Sequence, residues 1–410
     1  MERKELLNRL ATLTVKVGAN LQKGQTAIIY GQVELAEVVR LIAEQCWLAG
    51  AAEVHIFYED EICDRLRYTH GEVDRLTKIP QWVVDRRMNY PKGEACYIYL
   101  EGDNPDIFAG LDSNKIGAAA KAKMLAMKPF HDLIDKGENQ WTIVPAATKD
   151  WATKLFPGLE PTEAVDKLWE AIALTVRLDT PDPVAAWTQH SKSIADHSHF
   201  LNNSGINLLK FKNSLGTDLT VELAEGYIWC GGSSKTVTGV AFQANMPTEE
   251  VFSMPHKDKV NGKVVSSLPL IYQGMTIDNF TLTFKDGLVV DYTAETGLDA
   301  LTQMLDADSG SRRLGEVALV PYSSPIRKSG ILFYSTLFDE NASCHLALGS
   351  AYVDTMKDGL SLSDEERAKR GFNDSISHVD FMFGTSDLSV VGVRPDGSTI
   401  TIFENGEWVQ

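Results

Sequence analysis

Thr26-Ala27-Ile28-Ile29-Tyr30-Gly31 is a short apolar run ended by glycine, and Glu34 to Ala49 follows with apolar residues on a helical period that closes at Gly50. A second strand-like run, Glu53 to Tyr58, comes next. Strand, amphipathic helix, strand is the signature of a crossover unit with parallel strands. Upstream, Leu6, Leu7, Leu10, Leu13 and Val17 recur at helical spacing and Gly18 offers a stop. Downstream, Ala95 to Leu100 and Trp141 to Val144 read as further strands. The pattern predicts an α/β N-terminal domain with a largely parallel open sheet over residues 1–180.

Asp179 to Val184, DTPDPV, breaks this regime with two prolines and two aspartates. A connecting helix is expected over residues 181–204, and the composition then shifts. Leu208–Lys212, Asp218–Leu223, Lys263–Ser266, Asn279–Lys285, Leu288–Ala294 and Glu316–Val320 are short strand candidates, with a helix expected over Glu295–Asp306. Asp286-Gly287 between two of them is a hairpin signal, since both residues tolerate positive φ. Residues 205–410 are thus expected to form a β-rich α+β domain.

Of 410 residues, 44% are hydrophobic and 23% charged, ordinary values for a globular chain with a large core. A formal charge of −17 and the lack of any basic run with interleaved aromatics argue against nucleic acid as a partner. No apolar stretch reaches bilayer length, so no membrane association is expected. Met1-Glu2-Arg3-Lys4-Glu5 does not open a secretory signal, and a cytoplasmic location is the default. Five scattered cysteines without C-x-x-C spacing suggest reduced thiols rather than a disulfide framework or a zinc ribbon.

The chemistry is carried by acids and imidazoles in the last 170 or so residues. His378-Val379-Asp380 lies in a strand-like run, where side chains at i and i+2 share a face. Such a pair suits a divalent cation, or a histidine held by its acid, or simply a wet strand face. Glu340 and His345 flank a small, apolar segment running on to Ala351, where a buried carboxylate needs a partner. Glu316 opens an otherwise apolar strand, and Glu250 follows Glu249 in a turn where adjacent acids are usually solvated. Taken singly each is weak. Together, Glu250, Glu316, Glu340, His345, His378 and Asp380 are an oxygen-rich, thiolate-free ligand set for two divalent ions, and zinc, cobalt, manganese and magnesium all suit it.

Four segments make the reading specific: Met246-Pro247-Thr248-Glu249-Glu250-Val251-Phe252, Leu314-Gly315-Glu316-Val317-Ala318, Asn341 through Tyr352, and Ser377-His378-Val379-Asp380-Phe381-Met382. In this order and spacing they resemble the aminopeptidase T family, which includes aminopeptidase S and PepS, and the similarity extends to Leu21-Gln22-Lys23-Gly24-Gln25. The resemblance implies a cytosolic, homodimeric metalloaminopeptidase that removes N-terminal residues from short peptides with a free N-terminus through a water activated by two metal ions. It further implies that Glu316 bridges the ions, that Glu250 and His345 complete one shell and His378 and Asp380 the other, and that Tyr352 is the active-site tyrosine. Glu340 is matched only by its place before the Asn-Ala-x-x-His segment. A dinuclear hydrolase of another small amide, and a metal-binding protein without turnover, are the competing readings.

Other patterns carry less. Asp196-His197-Ser198-His199 looks like a ligand cluster, but helical i and i+2 side chains point about 200° apart. H-E-x-x-H, G-x-S-x-G and a strand-linked G-x-G-x-x-G are all absent.

Overall fold

The computed structural model describes residues 1–88, 90, 93–272 and 275–409. They form two compact units, one of residues 1–189 with 233–247, the other of residues 190–232 with 248–410.

In the first unit a four-stranded sheet runs in the order Glu53–Glu59, Thr26–Gln32, Ala95–Glu101, Gln140–Pro145, and every neighbouring pair is parallel. Its α/β character is the one expected. The five inner residues of Thr26–Gln32 are all buried, as a parallel strand covered on both faces requires. Helix Arg3–Leu13 buries Leu6, Leu7, Leu10, Ala11 and Leu13, and helix Ala36–Leu48 buries Val38, Val39, Ile42, Ala43 and Cys46. Both stripes follow the 3.6-residue period that drives such helices onto a sheet. Pro183, in the DTPDPV break, opens helix Pro183–Asn203, where a missing N–H costs nothing. Trp187 is buried there and donates its indole N–H to the Val176 carbonyl at 2.7 Å. Among the described residues no helix is long and apolar enough to cross a membrane.

The second unit is β-rich, with two antiparallel sheets. The larger has nine strands, among them Leu208–Lys212, Asp218–Leu223, Pro255–Val265, Met275–Lys285 and Leu288–Thr296. Asp286 and Gly287 take φ of 49° and 78° and close the hairpin between the last two, as the Asp-Gly pair predicts. Lys263–Ser266 was the only part of Pro255–Val265 expected as strand. His256 to Lys259 is polar and falls at the irregularity between the Pro255–Leu223 and Val260–Val221 pairs, so no local apolar pattern marks it as strand.

The smaller sheet has five strands in the order His378–Met382, His345–Gly349, Leu314–Leu319, Val251–Ser253, Cys230–Gly231. Val317, Leu319, Leu346, Leu348 and Phe381 from it share one core with Val260, Val264, Phe280 and Leu282 of the larger sheet. The Phe280 and Phe381 rings lie 5.5 Å apart. Strand alternation then sends Glu316, His345, Ala347, His378 and Asp380 to the opposite face of the small sheet. That second face carries the chemistry.

Candidate metal centre

Register makes the site. Glu316 pairs with Ala347, and Ala347 with Asp380, so the two acids stand in one row with a methyl group between them. His378 pairs with Gly349, which likewise leaves room above the backbone. Gly349 has φ of 109°, and a Cβ there would lie 2.0 Å from the Ser377 carbonyl oxygen. At Gly315, beside Glu316, a Cβ would come within 2.3 Å of Ser350 O. Both positions need glycine so that the backbones can close around the hollow.

The side chains converge tightly. His345 Nε2 is 3.1 Å from Glu250 Oε2 and 3.3 Å from Glu316 Oε1. His378 Nε2 is 3.7 Å from Glu316 Oε2 and 3.3 Å from Asp380 Oδ1. Among the described residues, two groups of three could each hold a metal ion: Glu250, Glu316 and His345, and Glu316, His378 and Asp380. Glu316 belongs to both, offering one oxygen to each. The structure thus brings together five of the six expected ligands. Glu340 stands outside both groups, although its charge is felt by the same acids and it accepts a hydrogen bond from Asn341 Nδ2 at 3.3 Å.

Each imidazole is oriented from behind. His345 Nδ1 lies 3.2 Å from Ser343 O, and His378 Nδ1 lies 2.7 Å from Ser350 O. A carbonyl oxygen only accepts, so Nδ1 carries the proton and Nε2 is the nitrogen turned to the acids, the arrangement that metal-ligating histidines use.

The electrostatics call for positive charge. Burial, reinforced by Asp380, raises the Glu316 carboxyl to about 7 despite its hydrogen bond with His345. Glu340 is pushed well above the carboxylate range by burial, then by Asp380 and Glu250. Burial alone would depress His378, but Asp380 and Glu316 overcome it and raise the imidazole to about 9. His345 is likewise raised well above its ordinary value, with Glu250 and Glu316 outweighing burial. Burial opposes ionisation of Asp380, yet His378 holds its carboxyl below the usual range. Asp380 Oδ1 is nonetheless buried without a hydrogen-bond partner. Four carboxylates, two imidazoles and an orphaned carboxylate oxygen fit divalent cations, which would supply the missing charge and the missing contact.

Glu250 is a ligand candidate, whereas Glu249 beside it reads from the sequence as a solvated neighbour. Both are buried. The Glu249 N–H donates to Asn341 Oδ1 at 2.7 Å, and His190 Nε2 sits 3.7 Å from Glu249 Oε2. No spacing in the sequence points to His190, because its partner is 59 positions away. Asn341, fully buried, also donates Nδ2 to Leu337 O at 3.1 Å, so one amide ties the Glu249–Glu250 turn to Glu340. Replacing Asn341 by alanine strands the buried Glu249 N–H and is expected to lower unfolding stability by roughly 2–3 kcal/mol in urea melts. An effect below about 0.5 kcal/mol would show that the amide ties nothing.

Tyr352 packs its ring against His378 at 4.6 Å between centroids, and against Phe252 at 6.2 Å. Burial and then the carboxylates of Glu316, Asp380, Glu340 and Glu250 hold its phenol well above its ordinary value. Among the described residues, Asp196, His197 and His199 belong to no group that could hold a metal ion. Asp196 pairs with Lys192, and His197 stacks on Trp408 at 4.2 Å.

The model of the thermophilic metalloprotease family, M29, matches residues 3–408. The chain belongs to the M29 family. It is a metalloaminopeptidase, an exopeptidase of the hydrolase class, and membership implies divalent metal ions. It is 44% identical to aminopeptidase 2 of Geobacillus stearothermophilus over 402 residues, covering 98% of this chain and 97% of that one. Against aminopeptidase AmpS of Bacillus subtilis it is 42% identical, with 98% of each chain covered. The solved structure of wild-type AmpT from Thermus thermophilus matches with a TM-score of 0.93 at 39% identity, over 100% of both chains. The resemblance to the aminopeptidase T family and the fold class read from the periodicity of the sequence are both borne out.

Proposed function

We propose that this M29 chain removes the N-terminal residue from short peptides by a two-metal mechanism. The observation that carries the reading is the position of Glu316, whose two carboxylate oxygens face two separate ligand groups. Glu250 and His345 would hold one ion with Glu316, and His378 and Asp380 the other, with Glu340 adding charge. Zinc, cobalt, manganese and magnesium all suit such donors. When bound, a pair of divalent ions supplies Lewis-acid polarisation of the scissile carbonyl and a water of lowered pKa. The carboxylates of the cluster favour a protonated α-amine, which fixes cleavage at the first peptide bond. Tyr352 keeps its phenolic proton at neutral pH and donates it as a hydrogen bond to the oxyanion. The family resemblance also supports a cytoplasmic homodimer.

The test compares unblocked and N-acetylated forms of one tripeptide. The free form is expected to be cleaved at its first bond and the blocked form to resist. Tyr352→Phe is expected to lower kcat by about 10²–10³-fold with KM nearly unchanged. Equal cleavage of both peptides would exclude an aminopeptidase and favour a hydrolase of internal or other small amides.

A further inference from the structure

Asp308 lies in the loop after helix Leu298–Leu305, far from His378 in sequence and outside both ligand groups. Its Oδ1 accepts the Gly310 N–H at 2.8 Å, the Ser311 N–H and hydroxyl at 2.9 Å each, and the Ser375 hydroxyl at 2.8 Å. Its Oδ2 accepts the Ile376 N–H at 2.6 Å. An aspartate that accepts from the second and third residues after it is an ordinary loop feature. The bonds to Ser375 and Ile376 are different, because they reach the segment that leads directly into strand His378–Met382. Ser377 continues the link. Its Oγ lies 3.3 Å from those of Ser311 and Ser375, and its carbonyl accepts the Ser350 N–H at 2.7 Å. Ser350 O in turn is the group that orients His378 Nδ1. Asn373 closes the same bracket from the other side, donating Nδ2 to Gly310 O at 2.9 Å and to Gly349 O, on the strand partner of His378, at 2.6 Å. Burial opposes ionisation of Asp308, yet the Ile376 N–H and the Ser375 and Ser311 hydroxyls hold its carboxyl below the usual range. The anchor is therefore a charged acceptor at neutral pH, the stronger kind.

We propose that Asp308 is a positioning residue for one ion of the pair: by anchoring residues 375–377 it sets His378 and Asp380, and it leaves the Glu250 and His345 group to other anchors. The inference rests on the two-metal reading above. The asymmetry follows from where the hydrogen bonds go. His345 is oriented by Ser343 O, and the Glu249–Glu250 turn is held by Asn341, so that group takes its bearings from residues 341–343. Asp308 bonds instead to residues 310–311 and 375–376. A metal ligand works only when its surroundings fix it to a fraction of an ångström. Loss of a group that orients a ligand typically lowers metal affinity about 10–100-fold. One loop carboxylate thus gives the two ions separate supports, and the support of one can be removed without touching the other.

The experiment titrates the chelated, full-length protein with zinc by calorimetry. Wild type is expected to take two ions per chain. Asp308→Ala is expected to bind the first as wild type does and the second about 10–100-fold more weakly. His378→Ala identifies the weakened site: it is expected to retain one ion, and adding Asp308→Ala to it should leave that ion's affinity unchanged. Ser375→Ala removes one bond of the bracket while keeping the carboxylate. It is expected to weaken the same ion by a smaller factor, and it carries the test if Asp308→Ala does not fold. At saturating zinc, Asp308→Ala should recover most of the wild-type kcat on a free-amine peptide, which a general lesion of the fold would not allow. Equal weakening of both ions, or no weakening in either Asp308→Ala or Ser375→Ala, would overturn the positioning role while leaving the two-metal reading intact. A wild type that takes a single ion would instead remove that reading, and the assignment with it.

Discussion

Glu316→Gln is expected to reduce kcat/KM on a free-amine peptide by at least about 10³-fold, equivalent to roughly 4 kcal/mol of transition-state stabilisation. The size of the effect follows from topology. Every other ligand serves one group of three, but Glu316 serves two, through Oε1 toward His345 and Oε2 toward His378. An amide keeps the shape and one neutral oxygen while removing the charge, so one ion group loses its Glu316 ligand and the other keeps only an uncharged one. Metal content measured on the purified variant is expected to fall below that of wild type. The fold is expected to survive, because the metal-free carboxyl is raised to about 7 and already behaves as a neutral group below that pH. Melting curves of the chelated wild type and chelated variant should therefore nearly coincide at about pH 6. A variant with wild-type turnover and full metal content would sink the bridging role. Asn341→Ala provides the contrast, since it acts on folding stability first.

Part of this site was legible in the amino-acid order because part of it is local. His378 and Asp380 share a face by period-two alternation alone, and an acid opening an apolar strand singled out Glu316. The α/β opening was legible for the same reason: its strands and helices carry their own apolar periods. What could not be read was register. That Ala347 sits between Glu316 and Asp380 depends on how three strands spaced over some 65 residues align, with an irregularity between Leu314 and Glu316. Burial of Glu249 and Glu250 depends on Asn341 and His190, neither of them a neighbour in sequence. Local periodicity identified which faces were polar, and pairing between distant strands decided which polar faces met.

Metal removal is expected to have the second large effect, and its pH dependence carries a definite sign. His378 titrates at about 9 in the metal-free fold against 6.5 ordinarily. Its protonation therefore stabilises that fold fully below about 6.5, and the contribution is lost as pH rises through about 9. At ~1.36 kcal/mol per unit, this is on the order of 3 kcal/mol. Glu316 acts in the same direction at lower pH. Raised from 4.5 to about 7, it makes the metal-free fold bind more protons than the unfolded chain, so stability falls across that window too. Divalent ions take the place of those protons, and binding releases them. The melting temperature of the loaded protein should thus exceed that of the chelated protein, and the gap should widen between about pH 6 and 8.5. At ~100-fold excess over the dissociation constant an ion contributes about 2.7 kcal/mol, or roughly 5–10 °C for a unit of this size. Re-adding zinc, cobalt, manganese or magnesium singly to chelated protein, with activity followed in parallel, should rank the ions in the same order by both measures. A gap that narrows with rising pH would mean that the ions do not displace the His378 and Glu316 protons, and these two residues would then not be ligands.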